Sequence, residues 1–104
     1  MTPQKQIVEI ARGIISGEVG LIDGSRKLWR LGLDVAPKRD PDFTFFCGLD
    51  SLSDHLPIGE VRQHWNPDAL RDKDSEIAKF ESLHREEALE ICRRLVQKYE
   101  HNAA

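Results

Sequence analysis

The run Asp50-Ser51-Leu52-Ser53-Asp54-His55-Leu56-Pro57 brings two carboxylates, two hydroxyls and an imidazole into eight consecutive residues. A carboxylate orienting an imidazole that takes a proton from a hydroxyl is the working arrangement of nucleophilic hydrolysis, and here the acid/base role falls to His55, oriented by Asp50 or Asp54. Those groups normally come from separate elements of a fold, since adjacent side chains rarely converge on one substrate atom. A glycine-flanked nucleophile, a phosphate-cradling loop and a paired-histidine zinc motif are all missing from the chain. The competing reading of the same residues is capping: Ser53 or Asp54 accepts backbone N–H bonds at a turn, and Pro57 ends the helical option for Leu56. Catalysis is therefore the secondary expectation.

A second set of donors lies in the same stretch. His55, His64 and His84, with Asp50, Asp54 and Glu60, are of the types that bind zinc or iron, but their spacing matches no metal motif. The sequence predicts no metal and no cofactor. His84 falls on an apolar helical stripe, where a neutral imidazole bonded to a backbone carbonyl is the expectation. Trp65, just before Asn66-Pro67, reads as a hydrophobic staple against the first turn of a helix, with Leu70 its expected partner, or as an aromatic anchor for a binding partner. Asp54, His55, Glu60, Arg62 and Trp65 together are the predicted partner-binding surface, because they collect in an irregular segment and loops fixed on rigid helices carry binding residues.

The elements that must position them read as helices. Thr2 and Pro3 supply a cap and a first helical residue, Ile7, Ile10, Ala11 and Ile14 recur at one buried face, and Gly17 suits a left-handed C-cap, so a first helix runs from Pro3 to about Ser16. Leu21, Ile22, Ser25, Leu28, Trp29, Gly32 and Leu33 give a second amphipathic helix with Asp23, Arg26, Lys27 and Arg30 on its solvated side. Ser25 and Gly32 on its apolar stripe permit close approach of another helix. The alternative is a single continuous helix lined by Gly13, Gly17, Gly20 and Gly24. Residues 34–42, with two prolines and dense charge, read as a surface loop. The apolar stretch from Phe43 to Leu52 fits a short helix capped by Asp42 or a short strand; the helix is preferred because a lone strand finds no partner. After an irregular 53–66, Asn66-Pro67 opens a long C-terminal helix carrying Ile77, Phe80, His84, Ala88, Ile91, Cys92, Leu95 and Tyr99, with acids early, bases late, and Glu81–Arg85 and Glu90–Arg94 as i,i+4 pairs. The last four residues are expected to fray. The predicted fold is a single all-α domain over 1–104, a small bundle of three to five helices with the long C-terminal helix lying lengthwise against the first two.

Composition narrows the partners. The 104 residues include 39% hydrophobic and 32% charged side chains, enough for one modest core, and no span of ~18 apolar residues for a membrane. Fifteen Lys and Arg against eighteen Asp and Glu give a net charge of −3, where a protein working on phosphate backbones carries a basic excess. General nucleic-acid binding is not expected. The first residues carry Lys5, Glu9 and Arg12 instead of a secretory apolar core, so a cytoplasmic location is expected. Cys47 and Cys92, without metal spacing, are read as reduced, small, buried apolar residues.

The string from Ile10 to Gly24 (Ile-Ala-Arg-Gly-Ile-Ile-Ser-Gly-Glu-Val-Gly-Leu-Ile-Asp-Gly), then Asp50-Ser51, Asp54-His55-Leu56-Pro57-Ile58-Gly59-Glu60-Val61-Arg62 and Trp65, resembles a bacterial family of short uncharacterised helical proteins. The resemblance implies a bacterial cytoplasmic helical protein without an assigned reaction, and small domains of that kind include immunity proteins of polymorphic toxins. From small size, acidic charge and the missing catalytic motif, the expected function is a protein-binding module, specifically one neutralising a toxin through an acidic middle segment. A small acid/base or metal-dependent enzyme and a structural homodimer built on the C-terminal helix are the alternatives.

Overall fold

The computed structural model describes residues 2–37 and 39–100, and among them every regular element is a helix. In order they are α1 (Pro3–Ser16), α2 (Leu21–Val35), α3 (Pro41–Ser53), a 3-10 helix (Gly59–His64) and α4 (Pro67–Tyr99). Three of the four α-helices open on the same device, a polar cap followed by proline at the first helical position. Thr2 accepts the Lys5 N–H at 3.2 Å, Asp40 accepts the Asp42 N–H at 3.0 Å, and Asn66 accepts the Asp68 N–H at 2.8 Å. The cap of α3 is thus Asp40 and not Asp42: Asp40-Pro41 repeats the pattern of Thr2-Pro3. Gly17 closes α1 at φ 88° as a left-handed cap, which breaks the continuous glycine-lined helix and leaves two.

The loop expected over 34–42 is shorter, since α2 continues to Val35 and α3 begins at Pro41. Ala36 is extended, as a residue before proline prefers, and this ends α2. The stretch from Phe43 to Leu52 is helix. It buries Phe43, Phe46 and Leu49, while Cys47 is half-buried instead of buried. Lys38 and the expected fraying of His101–Ala104 lie outside the described residues.

The core joins Ile7, Ala11 and Ile14 of α1, Leu21 and Leu28 of α2, Phe46 and Leu49 of α3, and Ala88, Ile91, Cys92, Leu95 and Tyr99 of α4. The main interfaces are α1 with α4, α2 with α3, and α1 with α2; α4 meets α2 only marginally. The expected lengthwise packing of α4 against both first helices is therefore corrected: only its C-terminal third, from Ala88 on, contributes fully buried residues. Between Pro67 and Glu87 the best-covered positions, including Leu70, Ile77, Phe80 and His84, are half-buried. The molecule is accordingly elongated, 45 × 26 × 26 Å, and α4 at about 1.5 Å per residue spans its long dimension.

Ion pairs pin the well-packed end. Arg94 donates to Asp42 at 2.7 Å and Lys98 lies 3.6 Å from Asp40, tying the end of α4 to the start of α3, and Arg12 of α1 pairs with Glu100. Arg94 thus serves α3 in place of the expected partner Glu90, whereas Glu81–Arg85 forms as expected at 3.3 Å. Phe43 and Tyr99 add an aromatic contact across the same joint, with centroids 6.2 Å apart.

Candidate functional site

The chemistry-bearing run at 50–57 is split by the end of α3. Asp50 and Ser53 face α2. The Asp50 carboxylate accepts from Arg26 Nε at 3.0 Å and from Trp29 Nε1 at 2.6 Å, and Arg26 Nη2 donates to the Ser53 carbonyl at 2.9 Å. Arg26, expected on the solvated side of its helix, is instead half-buried: its long stem crosses the α2–α3 seam and delivers the guanidinium to the one carboxylate there. Arg26 and Trp29 are three apart on α2 and so reach the same spot. The Ser53 hydroxyl is buried and donates to the Leu49 carbonyl at 2.6 Å, which removes it as a nucleophile.

Asp54 and His55 lie beyond that seam. Asp54 is the exposed C-cap of α3, and exposed His55 directs Nε2 toward the Glu76 carboxylate of α4 at 3.7 Å. Asp50, held by Arg26 and Trp29, does not orient His55. Leu56 and Pro57 are buried and anchor the turn; Gly59, at φ 75°, then redirects the chain into the 3-10 helix.

Arg62 ties this segment to α4. Its guanidinium donates to the Pro57 carbonyl at 3.1 Å and bridges to Asp74 at 2.8 Å and 3.0 Å, so one side chain closes the 57–62 turn and fixes it to the neighbouring helix. The hydrogen bond to Asp74 raises the Arg62 pKa above its ordinary value, and the same bond lowers that of Asp74. Glu60 and His64 are exposed, Val61 is 49% exposed, and Trp65 is half-buried beside the Asn66 cap, as is Leu70 in the following turn. His84 is half-buried with its ring 4.6 Å from that of Phe80.

The five predicted partner-binding residues therefore share one stretch docked on the N-terminal half of α4, with Arg62 as its fastener. The metal-type donors are not brought together: among the described residues no three His, Cys, Asp or Glu side chains group to hold an ion. No described helix is long and apolar enough to cross a membrane.

The electrostatics of this end are lopsided. Residues 54–76 carry six acids (Asp54, Glu60, Asp68, Asp72, Asp74, Glu76) and three bases (Arg62, Arg71, Lys73), a net charge of −3 that equals that of the whole chain. The remaining residues hold twelve of each sign. Sequence reasoning missed the Arg26–Asp50–Trp29 cluster and the Arg62–Asp74 clamp; the i,i+3 pairing of Arg26 with Trp29 was a visible signal for the first, while the second spans 12 residues and has no local signature. No family model matches the chain, and neither a curated protein nor a solved structure matches it.

Proposed function

We propose that this chain is a protein-binding module that docks a basic protein surface with its acidic end, the segment 54–66 and the first turns of α4. One observation carries the reading: the whole excess of negative charge sits on an end that contributes only Leu56 and Pro57 to the buried residues. Acidic groups concentrated on one surface steer a basic partner and set its orientation. Val61 and the open part of Trp65 supply apolar contact within that field, the combination found at interface hot spots. Asp54, His55 and Glu60 are the groups offered to the partner, and Arg62 holds them in place.

The specific form of the proposal is neutralisation of a bacterial toxin with a basic, nuclease-like surface, the chain acting in the cytoplasm as an immunity protein of the family it resembles. The immobilised chain should capture a basic protein from a bacterial lysate at low salt and release it at high salt. Co-expression of that protein with and without this chain then separates neutralisation from mere binding: rescue of growth supports the toxin reading, and no effect on growth removes it. Failure to capture any protein at either salt overturns the module itself.

A further inference from the structure

A cleft of about 300 Å³ opens between the C-terminal end of α2 and the first turns of α3, lined by Trp29, Leu33, Phe43 and Cys47 and by two charged residues, Arg39 and Asp40. Gly32 sets one of its walls: a Cβ there would overlap the Phe43 ring, so only glycine lets that ring lie against α2. The indole wall is fixed, since Trp29 Nε1 donates to Asp50 at 2.6 Å. Leu33, 64% exposed, extends the apolar surface to the mouth.

The two charges differ in availability. Asp40 is committed, accepting the Asp42 N–H at 3.0 Å and facing Lys98 Nζ at 3.6 Å. Arg39 is exposed and makes no hydrogen bond or ion pair within the described residues. The cleft thus offers an apolar, aromatic-walled body and one uncommitted guanidinium, and its volume lies at the small end of ligand sites. We propose that it binds a small aromatic carboxylate, the ring between Trp29 and Phe43 and the carboxylate on Arg39. A neutral ligand leaves the guanidinium unused, and a cationic one meets it with like charge.

Cys47 lines the same cleft and provides a reporter, while fully buried Cys92 stays silent. In the full chain carrying Trp65→Phe, so that Trp29 is the sole indole, 3-phenylpropionate should slow labelling of Cys47 by iodoacetamide in a saturable way and change Trp29 emission over the same concentrations. Its uncharged amide should bind about fivefold more weakly, and Arg39→Gln should weaken the carboxylate by about the same factor while leaving the amide unchanged, the loss of one exposed charge-assisted contact. Absence of Cys47 protection at millimolar probe, equal binding of acid and amide, or an Arg39→Gln variant that binds the acid undiminished overturns the proposal. A peptide ending in phenylalanine that binds more tightly than the free acid overturns the small-molecule assignment.

Discussion

Asp50→Ala is the most informative single perturbation of the fold. The carboxylate holds two donors from α2 across the α2–α3 seam, and the side chains of Arg26 and Asp50 are only 22% and 18% exposed, so water replaces the lost partner poorly. Removing it leaves a half-buried guanidinium with only the Ser53 carbonyl and an indole N–H with nothing. A charge-assisted hydrogen bond of this kind contributes about 1.5–3 kcal/mol, and the indole bond adds about 1 kcal/mol, so the expected loss is about 2–3 kcal/mol once partial rehydration is allowed for. For a domain of this size that lowers Tm by roughly 10–15 °C. Asp50→Asn keeps one acceptor oxygen and should lose about half as much. Urea denaturation followed by far-UV circular dichroism measures both, and a cycle with Arg26→Ala should return a coupling of about 1 kcal/mol or more. A loss within 0.5 kcal/mol, the range of ordinary surface substitutions, refutes the reasoning, as does a cycle with no coupling.

Further expectations test other joints. Gly32→Ala should destabilise despite alanine's better helix propensity, because its methyl collides with Phe43, whereas Gly48→Ala, with open space around its Cβ position, should stabilise by about 0.5–1 kcal/mol; thermal melts compare the pair. Burial pushes the Cys92 thiol from 9.0 up to about 12, so the unfolded chain loses this proton first, and the Cys92 contribution to stability should be flat below pH 9 and fall between pH 9 and 12, by up to about 1.4 kcal/mol per pH unit. Cys92→Ala should lack that component of the alkaline decline, seen as the difference between the two melting profiles. Arg62→Ala should speed proteolytic cleavage within 54–66 while leaving the melting of the α1–α4 core nearly unchanged, since the clamp touches only the turn and Asp74. Because the fold lowers the Asp74 pKa, the clamp is fully present above the ordinary carboxylate value of 3.8 and is lost as pH falls through the native one; protease protection of 54–66 should therefore decline only in acid.

Local signals were legible in the sequence and long-range ones were not. The bounds of α1 and the start of α4 follow from caps, prolines and a glycine that act within one turn, so Thr2, Gly17 and Asn66 could be read directly. Asp40-Pro41 carried the same signal but stood inside a charged, proline-rich run that reads as loop, and Asp42 next to the aromatic stretch drew the cap two residues too late. Phe43 to Leu52 was ambiguous because its apolar residues satisfy both periods; partners on α2 and α4 decide for helix. In the candidate site, the segment was legible from its irregular composition, but the division of labour within it was not. Whether Arg62 offers a charge outward or spends it on Asp74, and whether Asp50 serves His55 or Arg26, depends on how helices cross, which no spacing along the chain encodes.

The acidic end is tested most directly by comparing capture of the partner by the unmodified chain with capture by the quadruple variant Asp54→Asn, Glu60→Gln, Asp68→Asn, Asp72→Asn. These substitutions change segment 54–76 from −3 to +1 and leave Asp74 and Glu76, the partners of Arg62 and His55, in place. The variant should fold, as judged by its circular dichroism, and lose the salt-sensitive capture. A folded variant that captures the same protein with undiminished affinity and the same salt dependence contradicts docking through this end.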